Sequence, residues 1–252
     1  MALFSRSIPS GGYFICAMLS DNVYFLVFES PPENHFSPSF VDTFRSCLET
    51  IERSYPPGVL VTASRIPSSY CGDFPLIPDE RQRYQAWHLL RQILTYPMPT
   101  IAFINGHAVG MGFLLALCHD FRIQGRPDSS LRICQEPSSV DLAPRLNLVK
   151  AISPCSTVVS SRIANGKPLY GREAIKRGLV DMVAHVNGVF KFIKDRELLR
   201  VPSTPTYRES KIRSNRKALR VLDSIDEETG RHEDNRPETG STNRKHYRES
   251  KI

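Results

Sequence analysis

The stretch from Pro99 to Cys118 contains no Asp, Glu, Lys or Arg and breaks in its middle on Gly106, Gly110 and Gly112. Its first half, Pro99-Thr100-Ile101-Ala102-Phe103-Ile104, is apolar without alternation, which predicts a strand buried on both faces. Its second half, Met111 to Cys118, is apolar on every side and predicts a buried helix. Asn105-Gly106-His107-Ala108-Val109-Gly110 between them predicts a turn. Nowhere in the chain do about eighteen apolar residues run together, so no membrane-spanning helix is expected.

Short strands alternate with helices along much of the chain. Tyr13–Leu19 and Val23–Phe28, joined by Ser20-Asp21-Asn22, read as a hairpin. Ser37-Pro38 opens a helical pattern carried by Phe40, Val41, Phe44, Leu48 and Ile51. Gly58–Ala63 predicts a buried strand, Ser64–Pro78 a polar loop, and Glu80–Leu94 a helix that stops before Pro97. Phe121–Ile123 and Leu131–Cys134 predict strands, and Pro144–Lys150, Pro154–Ile163 and Arg172–Arg177 helices. The alternation implies an α/β fold with largely parallel pairing.

Past residue 190 the pattern weakens. Pro202–Thr206 is a breaker cluster, and only Val189–Leu199 and Ala218–Ile225 offer helical spacing. Asp223–Lys245 is almost wholly polar, so disorder is the expectation there. The expected division is a domain over 1–190 and a divergent, basic, partly disordered tail over 191–252. The hexapeptide Tyr207–Ile212 recurs once, as Tyr247–Ile252, which is no solenoid repeat.

The formal net charge is +7. Residues 186–252 hold 16 Lys+Arg against 11 Asp+Glu, and residues 1–185 hold 17 against 15. The main domain is nearly neutral, which argues against a nucleic-acid partner. Within the basic tail, Arg213–Arg220 reads as a solvated face. Cys16, Cys47, Cys71, Cys118, Cys134 and Cys155 are scattered with no C-x-x-C pair, so unpaired thiols in a reducing compartment are expected, with no metal site. The first residues lack a sustained apolar run before a cleavage-like site, so secretion is not expected.

Glycines between a buried strand and a buried helix let a ligand approach main-chain N–H groups, which suits a phosphate or a thioester oxygen turning into an enolate. The spacing is not G-x-G-x-x-G, and no Lys-Ser/Thr follows, so a nucleotide site loses support. The string Pro99-Thr100-Ile101-Ala102-Phe103-Ile104-Asn105-Gly106-His107-Ala108-Val109-Gly110-Met111-Gly112, with Cys118-His119-Asp120-Phe121-Arg122-Ile123 after it, closely resembles the signature of the crotonase family, the enoyl-CoA hydratase/isomerase superfamily. Asn165–Asp181 (NGKPLYGREAIKRGLVD) resembles that family's second motif, in the family's order. The resemblance covers about residues 13–185.

The resemblance implies a spiral of ββα units acting on acyl-CoA thioesters, with two backbone N–H groups forming an oxyanion hole. One donor is Met111, between Gly110 and Gly112. The other lies in a loop of pattern S-x-G-x-D, here Ser69-Tyr70-Cys71-Gly72-Asp73. Matching Ser69 and Asp73 makes it Tyr70, the preferred register; matching Gly72 makes it Cys71. Cys71, Gly72, Gly110 and Gly112 are then the substrate-binding positions. Hydratases of the family use two glutamates. Leu114 stands at the first position and cannot transfer a proton. Glu136 is the carboxylate in the segment of the second, with Asp141 the nearest substitute. A single carboxylate suits double-bond isomerisation, in which one base removes a proton and returns it elsewhere on the acyl chain.

His107 and His119 are expected to be structural, and Trp87 a core residue. No cofactor is implied beyond the coenzyme A of the substrate. Ser250-Lys251-Ile252 resembles the S-K-L peroxisomal signal and implies an import receptor as partner and a peroxisomal location. The family setting is fatty-acid metabolism or fatty-acid-derived secondary metabolism, including fungal peroxisomal steps of host-selective toxin biosynthesis. Poor C-terminal helices imply at most a weak homo-oligomer. The alternative reading is a catalytically impaired crotonase-fold protein that binds acyl-CoA or a partner without turnover.

Overall fold

The computed structural model describes residues 1–134, 142–153, 157–201 and 205–234, with the backbone alone for 157–160, 205 and 228–234. Strands β1 (Ala2–Ser7), β2 (Tyr13–Ser20) and β3 (Val23–Glu29) form an antiparallel meander. Helix α1 (Pro38–Ser54) starts where expected, because Ser37 Oγ accepts from Phe40 N and Pro38 supplies a preset φ at the helix start. Its buried Phe40, Val41, Phe44, Cys47, Leu48 and Ile51 lie three and four residues apart, one face of a helix.

Three ββα turns follow. In each, the first strand joins one sheet and the second strand joins another. Strands β4 (Val59–Ser64), β6 (Thr100–Ile104) and β8 (Phe121–Gln124) lie parallel and, with β11 (Met182–Val183), complete a seven-stranded sheet of order β1-β2-β3-β4-β6-β8-β11. Strands β5 (Ser69–Cys71), β7 (His107–Val109) and β9 (Ser130–Arg132) lie parallel and, with β10 (Leu169–Tyr170), form a second sheet of order β10-β9-β7-β5. Helices α2 (Glu80–Leu94), α3 (Met111–Leu117) and α4 (Leu142–Ile152) close the three turns. The Asp79 carboxylate accepts from Gln82 N, and the Gln82 side chain accepts from Asp79 N, a reciprocal cap that starts α2. The chain continues through α5 (Thr157–Ala164), β10 (Leu169–Tyr170), α6 (Gly171–Lys176), β11 (Met182–Val183) and α7 (Val186–Asp195). A short 3₁₀ turn (Leu198–Arg200), α8 (Pro205–Ser214) and α9 (Arg216–Asp234) complete the described elements.

The large sheet is covered on both faces, which is why its central strands are apolar without alternation. Tyr24, Leu26, Phe28 and Leu60 face the main core against α1, α2 and α3. Val23, Phe25, Val59, Val61, Ile101 and Ile123 face a second cluster closed by Val189, Phe192 and Ile193 of α7. Cys16, Cys47, Cys71, Cys118 and Cys134 are buried and unpaired; Cys155 lies outside the described residues. Burial pushes the Cys16 and Cys47 thiols up to about 12, out of the reactive range. No helix among the described residues is long and apolar enough to cross a membrane.

Four local expectations are corrected. The polar loop expected over Ser64–Pro78 contains buried strand β5, which pairs with β7. The turn expected over 105–110 contains strand β7, because His107 and Ala108 find parallel partners in β5 and Ala108 another in β9. Strand β1, which no sequence signal marked, is held by β2. The polar stretch expected to begin at Asp223 is helical through Asp234, as part of α9. There Ala218, Leu222 and Ile225 are buried in the main core, while Asp223 and Asp226 pair with Arg91 of α2 at 2.8 and 2.9 Å.

Candidate functional site

The glycine turn and the Ser69–Asp73 loop, read separately from the sequence, press directly on each other. Asn105 pins the end of β6 to β4: its Oδ1 accepts from Ser64 N at 3.0 Å and its Nδ2 donates to Ser64 O at 2.6 Å. A Cβ added at Gly106 would stand 2.5 Å from Ser69 N, and one at Gly112 would stand 2.0 Å from Cys71 O. Gly110 has φ +59°, in the left-handed region, and a Cβ there would stand 2.0 Å from the Asp73 carboxyl group. Gly106 and Gly112 are therefore required by contact between two backbones, and Gly110 by its positive φ and the Asp73 side chain packed on it. Gly112 N donates to Gly72 O at 3.1 Å, stitching α3 to the loop.

The proposed donor positions fall on the two walls of this contact. Cys71 and Gly72 line one wall. Cys71 is fully buried, its Sγ donates to Asn34 O at 3.0 Å, and burial first, then the Asp73 charge, raises its thiol well above the usual range. Gly72 N donates to Glu33 O at 2.9 Å. The Tyr70 carbonyl accepts from Asn34 Nδ2 at 3.0 Å, and the Tyr70 ring meets Phe28 edge-on in the core. On the opposite wall, Met111 N donates to Asp73 Oδ1 at 3.2 Å. Arg145 of α4 grips that carboxylate with both arms: Nη1 reaches Oδ2 at 2.6 Å and Nη2 reaches Oδ1 at 2.9 Å.

Beneath the site runs a buried polar chain. His119 Nδ1 lies 2.8 Å from Leu115 O, which can only accept, so that nitrogen carries the proton and Nε2 accepts. Thr62 then donates to His119 Nε2 at 2.9 Å, and the Tyr70 hydroxyl donates to Thr62 Oγ1 at 2.8 Å. Burial holds His119 down to about 3, so it is neutral and takes a structural part. His107 Nδ1 accepts from Ser130 N at 2.9 Å and ties β7 to β9. Trp87 is a core residue and Leu114 is fully buried. Glu136, Asp141, Ser250, Lys251 and Ile252 lie outside the described residues.

Sequence reasoning missed three contributors. Asp73 was only a register marker, yet its carboxylate holds the Met111 N–H. Arg145 had a signal: it is a lone arginine among the leucines of α4, and it is only 3% exposed. Asn34, fully buried, reaches Ser64 Oγ and Tyr70 O from a loop with no distinguishing pattern.

The enoyl-CoA hydratase/isomerase family model matches residues 19–196. The chain is 25% identical over 178 residues to an Arabidopsis thaliana protein named enoyl-CoA delta isomerase 2, peroxisomal, spanning 65% of this chain and 74% of that one. It is 28% identical over 208 residues to an enoyl-CoA isomerase/hydratase of Mycosarcoma maydis, spanning 73% of each. Among solved structures, the apo form of an Mtb enoyl-CoA isomerase superposes with a TM-score of 0.74 at 19% identity, over 86% of this chain and 97% of that one. The human mitochondrial delta3-delta2-enoyl-CoA isomerase superposes with a TM-score of 0.68 at 15% identity, over 88% of this chain and 96% of that one. At these identities the structural likeness is one of fold.

Proposed function

Because this chain belongs to the enoyl-CoA hydratase/isomerase family, we propose that it shifts the double bond of an enoyl-CoA thioester through an enolate held by backbone N–H groups. The observation that supports the reading is the contact of the Gly110–Gly112 turn with the Ser69–Asp73 segment, where Gly112 N donates to Gly72 O and a Gly112 Cβ would meet Cys71 O. Donors aimed at an oxygen whose charge grows toward the transition state accelerate the step rather than merely bind substrate. Met111 supplies one donor, and Tyr70 or Cys71 the other. Glu136 is the base that takes the α-proton and returns it at the γ-carbon. Leu114, apolar and fully buried at the position of the family's first glutamate, cannot activate water there, which favours isomerisation over hydration. The chemistry in this reading needs no cofactor beyond the coenzyme A of the substrate.

The test is turnover by the purified protein of a 3-enoyl-CoA and of a 2-enoyl-CoA. Isomerisation raises the absorbance of the conjugated thioester from the first substrate, and hydration lowers it from the second. Binding of both without either change assigns the protein to the catalytically impaired reading. The acyl chain consumed places the protein in fatty-acid breakdown or in synthesis of a fatty-acid-derived secondary product. A peroxisomal address is part of the proposal, supported by Ser250-Lys251-Ile252 and by the peroxisomal name of one relative. An N-terminal fluorescent fusion is expected in puncta that overlap a peroxisomal marker and disperse when Ser250–Ile252 are removed. A diffuse signal from the intact fusion rejects the address.

A further inference from the structure

The N–H that an acyl oxygen needs is already engaged. Met111 N donates to Asp73 Oδ1 at 3.2 Å, and Phe74 N and Arg145 Nη2 donate to the same oxygen at 2.9 Å each. Arg145 Nη1 takes Oδ2 at 2.6 Å and also Ile133 O at 3.0 Å, so the guanidinium is fixed to the scaffold as well as to the carboxylate. The overlap of a Gly110 Cβ with the Asp73 carboxyl at 2.0 Å shows that this carboxyl fills the space directly over the glycine turn. An acyl oxygen accepting from Met111 would have to enter that same space.

The two partners differ in freedom. The Arg145 side chain is 3% exposed and the Asp73 side chain is 18% exposed. The Asp73 backbone is anchored, with its carbonyl accepting from Phe36 N at 3.0 Å and from His35 Nδ1 at 3.1 Å. Only the carboxylate, rotating about its own side-chain bonds toward its open side, can vacate the N–H. Resting on the function proposed above, we propose that Asp73 is an internal occupant of the Met111 N–H which substrate must displace, with Arg145 as its latch. The pair determines how tightly the site takes an acyl oxygen.

The displacement has a kinetic signature. A carboxylate accepts an N–H more strongly than a neutral thioester carbonyl does, because the bond is charge-assisted. Moving it aside is needed equally for bound substrate and for the enolate, so it weakens both alike. Relief of the occupant therefore appears in KM and Kd rather than in kcat, whereas loss of a proton-transferring group would appear in kcat.

The test measures binding of butanoyl-CoA, which is saturated and does not turn over, by calorimetry on the full chain and on Asp73→Asn. The amide keeps the shape and its oxygen can still accept from Arg145, but it lacks the charge. The expected result is binding about tenfold tighter in Asp73→Asn, the size of one charge-assisted bond weakened to a neutral one. KM for the turned-over enoyl-CoA should fall in parallel. Equal or weaker binding by folded Asp73→Asn overturns the proposal, and a lowered kcat reassigns Asp73 to proton transfer. Should Asp73→Asn not fold, Arg145→Lys keeps the charge and loses the fork. It must then bind butanoyl-CoA more tightly than the parent chain, and unchanged or weaker binding overturns the latch. Wild-type turnover with no gain in the variants rejects the displacement alone; no acyl-CoA bound by any form rejects the enzymatic reading with it.

Discussion

His119 is neutral in the folded chain because burial holds its imidazole near 3, against 6.5 for the free side chain. The unfolded chain therefore binds a proton that the folded chain refuses, throughout the window from 6.5 down to about 3. The stability linked to this group is present above that window and is lost as pH falls through it. We expect His119→Leu to be less stable than wild type at neutral pH, since Thr62 loses its acceptor. The difference should shrink as pH drops, because the variant has no imidazole to titrate. Urea midpoints from neutral pH to pH 4 check this, and a constant difference would refute it. In the proposed reaction, Glu136→Gln is expected to lower turnover at least about a hundredfold while acyl-CoA binding persists, the usual loss for a general base. Unchanged rates would remove Glu136 from the mechanism. Residue chemistry was readable from sequence where a backbone rule dictated it, as at Gly110. It was hidden where a side chain's partner is far along the chain, as for Asp73 with Arg145.

Helix α8 joins the main domain through one buried charge. Lys211 Nζ lies 2.6 Å from Asp120 Oδ2, which also accepts from Thr100 N at 2.8 Å and Thr100 Oγ1 at 2.9 Å. Burial lowers the Lys211 pKa and the Asp120 charge opposes that shift. Removing the carboxylate strands the ammonium, so Asp120→Ala should cost about 3–5 kcal/mol in denaturant unfolding. Lys211→Met should cost much less, because Asp120 keeps its Thr100 donors and a methionine fills the lysine's volume. Equal losses from the two variants would show that the pair is not what docks the helix. Such an element is opaque to sequence reading. Tyr207–Ile212 is polar with no apolar stripe, and Lys211 is its one buried residue, in contact with Asp120, Met98 and Thr100, while Arg208, Glu209, Ser210 and Ile212 are exposed.

At the scale of the whole molecule, the main core includes Ala218, Leu222 and Ile225 from α9 together with residues of the three ββα turns. Shared packing predicts one cooperative transition rather than a domain followed by a loose tail. Leu222 is fully buried, and Leu222→Ala should lower stability by about 2–5 kcal/mol, shifting that single transition as a whole. Two transitions by calorimetry, with only one moved by the substitution, would separate α9 from the core. The sequence by itself determined the α/β alternation, the buried β6 strand, the buried α3 helix and the family motifs. Those features rest on local periodicity and on glycines that no other residue can replace. Only the tertiary structure decided that Ser69–Asp73 lies against Gly106–Gly112, that Asp73 sits on the Met111 N–H, that Pro205–Ser214 folds as α8, and that the helical spacing at Ala218–Ile225 extends into α9 as far as Asp234. Each of these depends on contacts between residues tens of positions apart, and a one-dimensional pattern does not encode which distant partner will neutralise a charge or cover an apolar face.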